Sequence, residues 1–367
     1  MFSDFFSWLA GRLSGRDAGP LPRDVDALLA VAAEEGVLAL LAAHCAQVAP
    51  NAVDAGFQKR LQDAVRQETM RELAQLAQAR EVLSLLDGAN IPVLVLKGTA
   101  LAYSLYPSPA LRPRCDLDLL VADRVQAKAA VAVLRDAGYV LLGEVDVDAT
   151  AECEVALARP VGGGFGTAVD LHWQLINHPL LTRGLTFEPL WAQRVALPAL
   201  HPQANGLDRM HALLHALLHR VTNFAHGQQN RLIWLYDIKL LAEQADAAMW
   251  EALLAESGTL GVAAFCVDGL LAAQAVLAAP VPGAVLQTLR VQAASQPRRL
   301  PAVPDQGAMD RAQLRALPWR ARAGWLWRKL LPSPRFMQHR YGAHGPFALL
   351  RAYLHRWWVG LRRGLGG

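Results

Sequence analysis

Residues 91–121, IPVLVLKGTALAYSLYPSPALRPRCDLDLLV, interrupt a chain whose rhythm is otherwise helical. Just before them, Leu61, Val65, Leu73, Leu76, Val82 and Leu86 recur at roughly helical spacing among charged residues. That spacing predicts a long amphipathic helix over 55–87, stopped by Gly88 and Asn90. IPVLVL is then short, apolar and β-branched, the pattern of a strand. TALAYSLY reads as a helix, PSPALRPR as a proline-rich loop and CDLDLLV (115–121) as a second strand. Elsewhere Ala and Leu dominate and β-branched runs are short. The expected fold is therefore α+β and predominantly helical, a small mixed sheet flanked by N- and C-terminal helical regions.

The rest of the chain fits that frame. Residues 21–50 hold a helical pattern ended by the turn signal APNA, and 123–137 form a helix closed by Gly138, which suits a left-handed C-terminal cap. Further strands are expected at 139–145, at EVALARP and at AVDLHWQL (168–175). Gly162, Gly163 and Gly164 make a flexible connection; they lack the spacing and following helix of a dinucleotide fingerprint. After Pro179 the character is helical again, through MHALLHALLHRVTNFAH, RLIWLYDIKLLAEQA and residues 246–290. The expected divisions are 1–90, N-terminal helical; 91–178, α/β core; 179–293, C-terminal helical; and 294–367, linker and tail.

With 53% hydrophobic and 19% charged residues, the chain is globular and not disordered. Cys45, Cys115, Cys153 and Cys266 show no CxxC or Cys/His spacing, which excludes a disulfide frame or zinc site and suits reducing cytosol. MFSDFFSWLAGRLSGR lacks the features of a secretory signal and reads as a short amphipathic helix. The most apolar stretch, 260–286, is broken by Asp268, Gln274 and two prolines, so it reads as buried helix, not a membrane span. The net charge of +4 hides an asymmetry: residues 311–367 carry twelve Lys or Arg and no acid, leaving −8 in residues 1–310. The same tail holds Trp319, Trp325, Trp327, Trp357 and Trp358, half of all the tryptophans. Such a composition suits peripheral contact with a membrane surface, at the inner face for a cytoplasmic protein, or packing on the acidic body or a partner. Nucleic acid ranks behind both.

The two aspartates of DLDLL pose a physical problem. Side chains alternate along a strand, so Asp116 and Asp118 share one face while Leu117 and Leu119 enter a core on the other. In VDLHW, Asp170 and His172 likewise share a face. Clustered carboxylates repel unless a cation neutralises them. Mg²⁺ (or Mn²⁺) takes oxygen ligands and binds through one or two carboxylates plus substrate phosphates. Two such ions about 4 Å apart can clamp the attacking and leaving oxygens of a phosphoryl-type displacement. Lys97, Gly98 and Thr99 sit where a strand meets a helix: glycine admits a close phosphate, the helix start offers free N–H groups, Thr99 a hydroxyl and Lys97 a charge.

A strand, a Gly-Thr at a helix start, a D-x-D on the next strand and a third Asp on a later one resemble the nucleotidyltransferase (polymerase-β-like) superfamily. The longer form, LKGTALAYSLYP, LRPRCDLDLLV and VDLHW, is similar to the uncharacterised nucleotidyltransferase family often associated with bacterial surface-polysaccharide gene clusters, over roughly residues 25 to 290. The resemblance implies that Gly98 and Thr99 hold a nucleoside triphosphate and that Asp116 and Asp118 bind the metals. It implies that Asp170 completes the metal site and helps deprotonate the attacking hydroxyl. It also implies an NTP donor and an acceptor such as a sugar, a lipid-linked glycan or a protein side chain. A nucleotide-sensing or adaptor role at the membrane is the alternative. Compact superfamily members place D-x-D nearer the Gly-Ser pair; here the gap is nearly twice as long.

Other residues carry more than one reading. Lys97 serves either phosphate or solvent at a strand end. Arg112 and Arg114 suit phosphates, Arg114 standing nearer the D-x-D, or salt-bridge the aspartates without metal. His172 assists the site or forms a hydrogen-bonded wall. His211, His215 and His219 form one helix stripe; without the glutamate of H-E-x-x-H, lining a cleft suits them better than zinc. Asp237, in a very apolar helix, caps it, pairs with Arg231 or Lys239, or reaches the cleft.

Overall fold

The structure is a computed structural model that describes residues 2–48, 55–142, 147, 153–161, 164–176, 178, 181, 184–224, 230–296, 300–301, 304–332, 334–342 and 345–365. Nine strands are present among these: β1 (Leu94–Val95), β2 (Asp116–Leu120), β3 (Val140–Leu141), β4 (Glu154–Ala158), β5 (Pro160–Val161), β6 (Gly164–Phe165), β7 (Ala168–His172), β8 (Val195–Ala196) and β9 (Asn205–Gly206). Seven make one mixed sheet in the order β3-β4-β7-β2-β1-β9-β8, and β5 pairs with β6 as a small hairpin. Everything else regular is helical, so the fold is α+β as the sequence implies.

The sheet divides two apolar cores. Leu117, Leu119, Val169 and Leu171 point to one side, where they meet Val82, Leu83 and Leu86 of the long helix Ala55–Gly88 and Ala127, Val131 and Leu134 of the helix Arg124–Asp136. Leu94 and Leu120 point to the other side. There they join a larger core built from the N-terminal helix Phe2–Leu13 and the helices Arg209–Phe224, Leu232–Glu243, Ala247–Leu260, Ala263–Leu277 and Gly283–Ser295. Asp116 and Asp118 share the face of Leu120 by strand alternation, so they look into the layer where the sheet meets this bundle.

Local signals explain most boundaries. Asp123 caps its helix by accepting from the N–H groups of Val125 and Gln126, both at 2.8 Å, and Gly138 closes it at φ +87°. Four expectations need correction. The helical pattern over 21–50 is two helices, Val25–Glu34 and Leu38–Val48, because Gly36 turns the chain at φ +72°. On the long helix Glu72 faces inward, while Leu73 is exposed. The strands at 91–96 and 168–175 shorten to Leu94–Val95 and Ala168–His172. Finally, β8 and β9 arise in a stretch read as helical; Asn205 and Gly206 pair in parallel with Leu94 and Val95, so the sheet extends beyond residue 178. Residues 143–146 of the expected strand 139–145 lie outside the described set, as do Gly162 and Gly163.

Candidate active site

Register brings the three aspartates together. β2 and β7 run parallel as neighbours with Asp118 opposite Asp170, so the two carboxylates lie on one face, with Asp116 one pleat away. One ligand oxygen from each of Asp116, Asp118 and Asp170 falls within 4.8 Å of the others. β4 lies antiparallel against β7 and sets Glu154 opposite His172, on the same face. Lys97 Nζ donates to Asp118 Oδ1 at 2.6 Å, and His172 Nε2 lies 3.0 Å from the same oxygen. His172 Nδ1 is 3.0 Å from Glu154 Oε2. His172 is thus a buried bridge between two carboxylates, the hydrogen-bonded wall of the two readings.

The charges are unevenly satisfied. Burial would raise Asp118, but Lys97 and His172 outweigh it and hold the carboxyl below the usual range. Burial, and next the nearby Asp118 charge, push Asp116 up to about 7 and Asp170 to about 6. Burial and Lys97 oppose a charged His172, yet Asp118 and Glu154 raise it to about 9. Among the described residues no side chain donates to the carboxylates of Asp116 or Asp170. Two half-buried carboxylates without a protein donor, beside a third that is fully ionised, form a hard-oxygen donor set that fits a divalent cation.

This has a consequence for stability without metal. Between pH 4 and 7 the native state holds protons on Asp116 and Asp170 that the unfolded chain has lost. Between pH 6.5 and 9 it holds one on His172. Below pH 6.5 this slope is opposed by His215 and His219, which are buried neutral and bind protons only when unfolded. The net fall in stability is therefore expected between pH 7 and 9, and Mg²⁺ should raise the midpoint more at pH 7 than at pH 5 by binding the ionised carboxylates. Urea midpoints across pH 4–9, with and without Mg²⁺, measure this. A metal-free midpoint that climbs from pH 7 to 9 would contradict the assignment.

The strand–helix turn lies directly beside the cluster. β1 ends into the helix Lys97–Ser104, and Lys97 adopts φ +50°, a left-handed conformation costly for a residue with a Cβ. That twist accompanies the contact between its ammonium and Asp118. Thr99 is buried and donates to the Asp116 carbonyl at 3.4 Å, tying the turn to β2. Gly98 has no room for a side chain: a Cβ there would stand 2.9 Å from Arg112 Nη1. Arg112 cannot yield easily, since Asp237 and the Pro113 carbonyl hold its guanidinium. Gly98→Ala should therefore cost ~1–3 kcal/mol through overpacking, read as a lowered urea midpoint. Gly88→Ala, with nothing within 4 Å, is the control and should not lower it.

Neither arginine pairs with the three aspartates; Lys97 and His172 do so instead. Arg112 forms a two-pronged pair with Asp237, Nε to Oδ1 at 2.9 Å and Nη2 to Oδ2 at 2.8 Å. Arg114 is buried against Glu72 of the long helix, Nη2 to Oε1 at 2.7 Å, with Tyr103 donating to the same oxygen at 3.1 Å. Asp237 therefore pairs with neither Arg231 nor Lys239; it does reach a small cavity of about 50 Å³ beside Lys97. His215, His219 and Trp234 also line that cavity, whereas His211 turns to Asp208. Burial keeps His215 neutral, lowered to about 3, and its Nε2 has no hydrogen-bond partner among the described residues. Glu154 and Glu72 escape the sequence reading. A glutamate opening the expected strand EVALARP was the available signal for Glu154; Glu72 had none, because the leucine pattern placed Leu73 inward.

The profile of the family described as uncharacterised nucleotidyltransferases matches residues 22–278, more than half of the chain. The chain belongs to this family. The matched region contains the turn, all three aspartates, β9 and the bundle helices up to Ala263–Leu277. No curated protein matches the chain. Among solved structures, an antigenic nucleotidyltransferase-like protein from Paracoccidioides brasiliensis is similar at 16% identity and a TM-score of 0.36, over 57% of this chain and 95% of that one.

Proposed function

We propose that this family member is a metal-dependent nucleotidyltransferase that moves a nucleoside monophosphate from an NTP to a hydroxyl or phosphate acceptor. The observation that carries the reading is the meeting of three carboxylates within 4.8 Å beside a strand–helix turn closed to side chains at Gly98. Asp116, Asp118 and Asp170 would hold Mg²⁺ or Mn²⁺, which when bound neutralises triphosphate charge and favours the ionised acceptor oxygen. The chain's own groups do the rest. Gly98 and Thr99 let backbone approach the phosphates, and Lys97 offers its ammonium to them. Arg114 acts from behind, by fixing the start of β2 against the long helix. Asp170, which completes the metal site, takes the acceptor proton on a carboxylate oxygen. The acceptor oxygen then bonds to the α-phosphorus, and the bond to the β-phosphate breaks with pyrophosphate taking the electron pair.

Free cysteines suit a reducing cytoplasm. The acceptor class we favour is a sugar or lipid-linked glycan of surface-polysaccharide metabolism, ahead of a protein side chain; the support is the family resemblance. A second reading keeps nucleotide binding and drops turnover, as in a sensor or adaptor. It is favoured by Asp118 already being held by two cations of the protein itself.

The test is thermal stability with each of the four NTPs, ATP included, with and without Mg²⁺ or Mn²⁺. A ligand at a hundred times its Kd adds ~2.7 kcal/mol to stability. One nucleotide should raise the melting temperature only with metal, and Asp116→Asn/Asp118→Asn should abolish the shift. No shift at millimolar concentration with any nucleotide would refute both readings. A shift without pyrophosphate release in the presence of candidate glycans would leave the sensor.

A further inference from the structure

Two helices of the basic tail leave their apolar faces in water. In the helix Trp319–Leu330, Trp319, Leu326, Trp327 and Leu330 are exposed, and their spacing puts them on one side. In the helix Pro346–Leu365, Phe347, Leu350, Leu354 and Trp358 are exposed and follow each other at three, four and four residues, one continuous stripe. Phe347 is 87% exposed and Trp319 74%. These faces are not left over from a tail without structure. The helix Gln306–Ala316 seats Met309 and Ala312 in the large core. Met337 and Ala352 form a small core of their own, and Trp357 Nε1 donates to the Leu330 carbonyl at 2.7 Å. The tail is thus packed by other residues, while the stripes point outward.

We infer that residues 319–365 dock the protein on an anionic lipid surface. Twelve Lys or Arg with no acid over 311–367 select negatively charged headgroups and repel a cationic partner. Arg320, over the Trp319 ring, and Arg351, one turn after Phe347, are exposed beside the Trp, Leu and Phe of these stripes, so charged heads border the apolar faces as on a helix lying in the membrane interface. No helix among the described residues is long and apolar enough to cross a membrane, so the contact is on the surface. Phosphates of a nucleic acid would use the arginines and leave Phe347, Leu350 and Leu354 wet; lipid covers both. The acidic body already has a core, and the stripes remain exposed with that body present. This inference is independent of nucleotidyl transfer.

Co-sedimentation of the full chain with vesicles tests it, using phosphatidylcholine alone and phosphatidylcholine mixed with phosphatidylglycerol. Binding to the anionic vesicles should be at least about tenfold tighter, with a blue shift of tryptophan emission. Trp327→Gln/Leu350→Gln/Leu354→Gln and, separately, Arg320→Gln/Arg351→Gln should each weaken binding about tenfold or more while circular dichroism stays unchanged. All are exposed positions, so the fold should survive the changes. Absence of binding to anionic vesicles at low salt overturns the inference. So does binding that the apolar triple variant leaves intact. Tighter binding to an oligonucleotide, or a dimer in solution that the triple variant dissolves without any vesicle binding, would assign the surface to nucleic acid or to a second copy instead.

Discussion

Asp237→Ala should destabilise the protein by ~3–5 kcal/mol, the usual result of breaking a buried ion pair from one side. The side chains of Arg112 and Asp237 are only 8% and 4% exposed. Tyr106 also donates to the same carboxylate, at 2.7 Å. Without Asp237 the guanidinium is left charged in a dry site. It cannot escape by losing its proton, because a guanidinium stays protonated far above neutral pH. Unfolding in urea measures the loss. Arg112→Met/Asp237→Leu should recover most of it, because apolar replacement of both partners removes the desolvation cost together with the attraction. A loss below ~1 kcal/mol for Asp237→Ala would mean that Arg112 is solvated after all. The pair also matters beyond stability. Asp237 stands on the bundle helix Leu232–Glu243, and Arg112 presses on Gly98. The bond therefore fixes the bundle against the strand–helix turn, and nucleotide binding should weaken along with the fold.

The sequence exposes this site to reading because local rules govern it. Alternation in DLDLL and VDLHW places three carboxylates and one histidine on defined faces, and parallel pairing of two such strands leaves few other outcomes. Gly98 is legible for the same reason: it stands where a strand becomes a helix. What stayed hidden depends on partners distant in sequence. Asp237 finds Arg112 across 125 residues, and Glu72 finds Arg114 across 42. The leucine pattern of the long helix even hides Glu72, because one turn of that helix trades an apolar contact for an ion pair. The two-residue strands β8 and β9 are too short to show any period and exist because an edge of β1 was open to them. Lys97 and His172 as the cations beside Asp118 were within reach of alternation, but which of four nearby basic groups would win depended on packing.

Asp116→Asn and Asp118→Asn should both abolish turnover yet move stability in opposite directions. Each removes a carboxylate from the proposed metal site, and a metal ion supplies several kcal/mol of transition-state charge stabilisation. At ~1.4 kcal/mol per decade, that predicts a loss of roughly 10²–10⁴ in rate. Stability separates the two. Asp118 neutralises a mostly buried Lys97 and a fully buried His172, so its amide leaves two cations short of a partner and the metal-free melting temperature should fall. Asp116 has no such partner; burial and its neighbour Asp118 already oppose its charge. Its amide removes a repulsion, and the metal-free protein above pH 7 should melt higher. Melting curves of both variants at pH 8 with a chelator, beside turnover with the donor nucleotide, decide the matter. If Asp116→Asn destabilised as much as Asp118→Asn, its carboxylate would have a structural partner and would not be held ready for a metal. A residue whose removal stabilises the fold and stops the reaction is one whose electrostatic cost only the reaction explains.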